Sequence, residues 1–174
     1  TLDLSDELIP QAANWPESEV CPAFNALSEH VRTRVLETYS DKTFNTGSGT
    51  LKISALEAMR CAVIYSKALD FAASASRLIE SAGHGKVELE ISIDETSAPT
   101  LPEHHFFVAS ELVHRKVRFV SLAPRFIGEF QKAIDYIGDL KEFDRQLAVH
   151  VAIAKHFGFY KLSVHSGSDK FKVF

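Results

Sequence analysis

Cysteine is scarce in this chain, with two among 174 residues. Cys21 and Cys61 lack the close spacing of a metal-binding pair, and each sits among apolar neighbours. That excludes a disulfide-stapled scaffold and points to two buried, free thiols in a reducing compartment. There is no secretory signal and no apolar run of about 18 residues, so no membrane-spanning helix is expected and a cytoplasmic location is. An excess of basic charge is also missing: 19 Lys and Arg face 23 Asp and Glu, for a net charge of −4. Basic residues form no run, so neither nucleic acid nor a membrane surface is an expected partner. An initial Met is absent too; the chain opens on Thr1, which reads as trimming or processing of a longer polypeptide. What is present is ordinary for a soluble globular domain, at 45% hydrophobic and 24% charged, and long enough for one proper core.

The first twenty residues carry Pro10 and Pro16 and read as an irregular lead-in. The spacing of Phe24, Leu27, Val31, Val35 and Leu36 predicts a helix over about Pro22 to Tyr39. Asn45 to Gly49 reads as a turn between two short extended pieces. Ser54 and Glu57 form a capping box that opens a long helix running towards Gly83. This mainly helical portion, residues 1–83, precedes a second portion, residues 84–174, with a different grammar.

Val87 to Ile93 reads as a strand. Thr100 and Glu103 make a second capping box, with Pro102 in the first turn of a helix to about Arg115. Val117 to Leu122 is another strand. Asp139 and Glu142 repeat the box, and the helix that follows closes at Gly158. A third strand, Phe159 to Val164, comes last. Strand, helix, strand, helix, strand is the signature of parallel βαβ units. The strand ends then point one way and carry Asp94, Glu95, Arg125, His165, Ser166 and Lys170 to a single edge. Along the first strand Leu89, Ile91 and Ile93 share one face, and Glu90, Ser92 and Asp94 the other. Along the third, Leu162 and Val164 oppose Lys161, Ser163 and His165. This pattern fits an α/β fold whose βαβαβ units form part of a TIM-type (β/α)8 barrel. Asp94 and His165 would both point inward at its rim.

Three runs, Glu90-Ile-Ser-Ile-Asp-Glu-Thr96, Phe119-Val-Ser-Leu-Ala-Pro-Arg-Phe-Ile-Gly-Glu129 and Lys161-Leu-Ser-Val-His-Ser-Gly-Ser-Asp-Lys-Phe171, closely resemble the tagaturonate/fructuronate epimerase family. The resemblance is strong over the second half of the chain and weaker over the long helix after Ser54. It implies a metal-dependent, barrel-type isomerase of hexuronate catabolism, which interconverts two keto-hexuronates differing at one hydroxyl-bearing carbon. A closed barrel needs eight strands and about 250 residues, whereas three strands are legible here. The chain is therefore expected to be an internal piece of such an enzyme.

The inverted carbon lies β to the ketone, so its own C–H is not directly acidified. Reversible carbon–carbon cleavage, a retro-aldol route, is easier to rationalise. It needs a base for the hydroxyl, a Lewis acid and a carboxylate clamp. His165 suits a divalent metal cation as a neutral imidazole ligand, and Asp94 or Glu95 suits the base or a second ligand. Arg125 suits the substrate carboxylate. Ser166, Ser168 and Lys170 suit hydroxyls or developing negative charge.

Each assignment has a plainer rival. His165 can be a hydrogen-bonded core group, Asp94-Glu95 a turn or a cap, Arg125 a surface partner of Glu129, and Asp169-Lys170 a loop ion pair. Adjacent His104 and His105 face different ways on a helix, which predicts helix surface and partial core rather than a metal pair. His150 reads as core, and His30, His84, His114 and His156 as helix surfaces or ends. Another metal-dependent sugar isomerase or aldolase is the rival enzyme. A non-catalytic piece that self-associates through exposed sheet edges is the rival outside enzymes.

Overall fold

A computed structural model describes residues 1–47, 49–83 and 87–173. The lead-in, expected to be irregular, carries short regular elements. Leu2–Asp3 forms a short strand, β1, and two tight helical turns follow before helix α1, Glu17–Asn25. The single helix expected to Tyr39 is two, because Ser28 interrupts it. Its Oγ accepts from the Val31 backbone N–H and starts α2, Glu29–Tyr39, afresh. Strands β2, Lys42–Asn45, and β3, Thr50–Ile53, then form an antiparallel hairpin. Asn45 holds their turn by accepting from the Gly47 N–H at 2.9 Å.

The Ser54 hydroxyl accepts from the Glu57 N–H at 3.1 Å and opens α3, Ala55–Gly83. Glu57 does not reciprocate, since its carboxylate goes to His104 and Arg60. Strand β4, Glu90–Ile93, begins later than expected. Helix α4, Pro102–His114, carries Pro102 in its first turn as foreseen, but Thr100 does not cap it. Thr100 clasps Arg125 instead: its N–H donates to the Arg125 carbonyl at 2.8 Å, and its Oγ1 accepts from the Arg125 N–H at 2.9 Å.

Strand β5 is Ser121–Pro124, shifted past the expected span. The shift follows from how α4 ends. Lys116 turns with φ 60°, and the Val117 N–H still closes onto the Leu112 carbonyl. The backbone of Val117 is therefore committed to the helix end and not to a strand. Asp139 caps α5, Leu140–Phe157, through the Lys141 and Glu142 N–H groups at 2.9 and 3.2 Å. Gly158, with φ 78°, closes it in the left-handed region. Strand β6 is Lys161–Leu162, shorter than the expected strand.

The main sheet runs β1-β4-β5-β6, and all its pairs are parallel. It thus has four strands where three were expected. Two residues carry no period, so β1 was invisible to pattern reading. Both edge strands are two residues long, which leaves little template for edge pairing. On the helix side, Ile91, Ile93 and Leu122 join Leu69, Phe107, Leu112 and Ile153 in a core that draws on both portions of the chain. A smaller cluster of Phe126, Tyr136 and Phe143 props the segment after β5. Gly128 (φ 90°) lies flat on the Tyr136 ring, where any Cβ would overlap it. Among the described residues no helix is long and apolar enough to cross a membrane.

Candidate functional site

Alternation along β4 separates its side chains as expected. Ile91 and Ile93 enter the core, while Glu90, Ser92 and Asp94 face the other way. The parallel register then sets Ser121 beside Glu90. His165, just beyond β6, completes a cluster with them. Its Nε2 lies 3.0 Å from Glu90 Oε1 and its Nδ1 3.1 Å from Asp94 Oδ1. Glu90 also accepts from the hydroxyls of Thr1 and Ser121, both at 2.8 Å. Asp94 accepts from Ser92 Oγ.

Electrostatics follow from this geometry. Partial burial alone would lower the His165 pKa, but Glu90 and Asp94 outweigh it and hold the ring above its ordinary value. Burial likewise works against ionised Glu90, yet hydrogen bonds from His165, Ser163, Thr1 and Ser121 bring its pKa down to about 2. The two carboxylates therefore push His165 towards its charged form.

Arg125 follows β5, held by Thr100, and its Nη1 reaches the Asp94 carbonyl at 3.4 Å. A cavity of about 490 Å³ opens here, lined by Asp94, Glu95, Arg125, Glu129, His165 and Ser166 among others. Glu95 is exposed, and its backbone N–H donates to Ser5 Oγ. Ser166 turns the chain with φ 52°, a left-handed conformation uncommon outside glycine. Lys170 lies beneath this rim, fully buried. Its ammonium donates to the Gln131 carbonyl at 2.7 Å and pairs with Asp169. So Asp94, Glu95, Arg125, His165 and Ser166 come together at one cavity, and Lys170 braces the loop that carries Ser166. A larger cavity of about 840 Å³ lies at the opposite strand ends, lined by Val87, Leu89, Phe119 and Phe159 among others. Its described lining residues include no histidine.

Pattern reading missed Glu90 as the hub of the rim. Its signal was available, because it shares the face of Ser92 and Asp94. The reading of His104 and His105 as partly surface groups is also corrected, since both are buried. Their polar atoms are paired across helices. His104 Nε2 meets Glu57 Oε1 at 2.7 Å, and its Nδ1 meets the Tyr65 hydroxyl at 3.0 Å. His105 Nδ1 meets His150 Nδ1 at 2.9 Å, while its Nε2 faces the Tyr160 hydroxyl at 2.8 Å. His150 is core, as expected. Cys61 is buried, whereas Cys21 is only half-buried. His84 lies outside the described residues. Glu57, Cys61 and His104 form a cluster able to coordinate a metal ion, their donor atoms lying within 4.8 Å of one another.

Parallel strands that deliver a carboxylate-flanked histidine and an arginine to a cavity at their carboxyl ends define an α/β protein with a candidate site at that edge. Within that class the chain belongs to the tagaturonate epimerase (UxaE) family, whose model matches residues 1–174. It is 54% identical over 87 residues to the tagaturonate/fructuronate epimerase of Thermotoga maritima, covering 50% of this chain and 18% of that protein. The glycerol-complexed crystal structure of fructuronate-tagaturonate epimerase UxaE from Cohnella laeviribosi superposes with a TM-score of 0.93 at 49% identity, over 99% of this chain. The native structure of the same protein gives a TM-score of 0.92 at 50% identity. The chain spans 35% of the length of those solved relatives.

Proposed function

We propose that this chain supplies part of the active-site rim of a hexuronate epimerase interconverting D-tagaturonate and D-fructuronate. The observation that carries the reading is His165 set between Glu90 and Asp94 beside Arg125, at a cavity on the strand ends of a fold shared with solved epimerases.

Arg125 binds the substrate carboxylate, its guanidinium offering paired donors. Glu95, exposed at the cavity, takes the proton from the hydroxyl on the carbon to be inverted. The adjacent carbon–carbon bond then breaks, leaving an aldehyde and an enediolate; the aldehyde turns, and the bond re-forms on its other face. The Ser166 hydroxyl faces the developing negative charge. The residues also fit a divalent cation: His165 Nδ1 and Asp94 would hold it, with Glu90 accepting the remaining ring N–H as an orienting partner. Such an ion supplies Lewis-acid stabilisation of charge on substrate oxygens. Because Asp94 and Glu90 contact opposite ring nitrogens, one ion meets His165 and only one of them. Lys170, read at first as a substrate contact, positions the loop.

The test is an interconversion assay on this chain and on a solved relative with the matching residues exchanged. His165→Ala and Arg125→Ala are each expected to remove most turnover, and His165→Ala to reduce bound metal. Unchanged turnover and metal content in the relative's histidine variant would sink the assignment.

A further inference from the structure

Glu57 and Cys61 lie four residues apart on α3, stacked on one face a turn apart. His104, the third residue of α4, meets them from across the helix interface. A carboxylate oxygen, a thiol sulfur and a ring nitrogen thus fall within 4.8 Å of one another. The atoms behind these donors are also held. Tyr65 lies 3.0 Å from His104 Nδ1, which leaves Nε2 facing the cluster. Arg60 Nε lies 3.3 Å from Glu57 Oε2, which leaves Oε1 facing it. Arg60 is fixed in turn by the carbonyls of Ala12, Ala13 and Trp15, at 2.6, 3.1 and 2.9 Å. Ligands whose far atoms are each oriented by a partner are how metal sites are built.

Charge points the same way. With Cys61 as thiolate and Glu57 ionised, a divalent ion makes the trio neutral, which a buried place tolerates far better than a lone charge. A thiolate, an imidazole and a carboxylate together suit zinc and its neighbours rather than magnesium or calcium. Three protein donors leave a fourth tetrahedral place.

We infer that Glu57, Cys61 and His104 hold a divalent transition ion, zinc foremost, that joins α3 to α4 at a site separate from the His165 rim. The inference does not depend on the reading of that rim. Ion binding displaces the Cys61 thiol proton to solvent and replaces the direct Glu57–His104 contact with two bonds to the metal.

Cobalt(II) titration of the whole chain after chelator dialysis tests it. Expected is an ion bound with tetrahedral d–d absorption and a thiolate-to-cobalt charge-transfer band, both displaced by zinc. Cys61→Ser, shown folded by circular dichroism, should abolish the charge-transfer band, whereas Cys21→Ser and His165→Ala should retain it. Tyr65→Phe removes only the orienting hydroxyl and should weaken binding roughly ten- to hundredfold with the band kept. Absence of the band in the unaltered chain, its survival in Cys61→Ser, or its loss in Cys21→Ser or His165→Ala would overturn the assignment. Should Cys61→Ser fail to fold, Tyr65→Phe decides alone, and unchanged affinity there refutes the site.

Discussion

His165 and His150 carry the same side chain in opposite electrostatic settings. His165 sits partly exposed between two carboxylates, and these override the cost of burial to favour its charged form. His150 is buried with another histidine and a backbone carbonyl for partners, and its pKa falls to about 4. Its neighbour His105 is pushed down as well, by burial first and His150 second. Tyr160 Oη lies 2.8 Å from His105 Nε2, and His105 Nδ1 lies 2.9 Å from His150 Nδ1. Partners, rather than residue type, push one histidine towards its charged form and the others towards their neutral forms.

Breaking the buried network should have the largest effect. His105→Leu strands the Tyr160 hydroxyl and a His150 nitrogen, and is expected to cost about 2–6 kcal/mol at roughly 1–3 kcal/mol per group. Urea unfolding measures it, and a loss below about 1 kcal/mol would mean water replaces the ring. A cycle pairing this change with Tyr160→Phe should show the two losses overlapping rather than adding.

At the rim, Asp94→Asn removes one carboxylate beside His165. The ring should then titrate at lower pH, followed by NMR of its carbon-bound protons. An unmoved titration would show that Asp94 is not an electrostatic partner.

The two histidines should also respond to pH with opposite sign. The folded pKa of His165 is raised above its ordinary 6.5, so its contribution is full below about 6.5 and is lost as pH rises through the folded value. The folded pKa of His150 is depressed to about 4, so its contribution is full above about 6.5 and is lost as pH falls towards 4. Unfolding of His165→Ala and His150→Gln against the parent chain across this range would show the difference narrowing in opposite directions. Parallel curves would break the comparison.

Smallest is a change away from both clusters. Asp139→Ala removes the α5 cap and should cost about 1 kcal/mol, with the histidine titrations unmoved.

Local signals were legible where one residue and its near neighbours decide the outcome. Ser54 and Asp139 start their helices as read, Gly158 ends its helix, and Ile91 and Ile93 enter the core through a period of two. One half of each capping box was not legible. Glu57 is spent on His104 and Arg60, Thr100 on Arg125, and Glu142 on Arg145 and Gln146. In each case a competing partner offered a better contact than the cap. Of the candidate site, Asp94, Glu95, Arg125, His165 and Ser166 could be placed at one edge from strand order alone. Lys170 could not, because its burial depends on Gln131 and Asp169 closing over it.

The sequence by itself determined the starts of α3 and α5, the stop at Gly158 and the alternation along β4, because each follows from contacts within a few residues, and strand order gave the common edge. Only the tertiary structure decided which groups meet across that edge and between α3 and α4. Glu90 beside His165, Glu57 beside His104 and His105 beside His150 join residues far apart in the chain. Such meetings depend on strand register and helix packing, which no local pattern records.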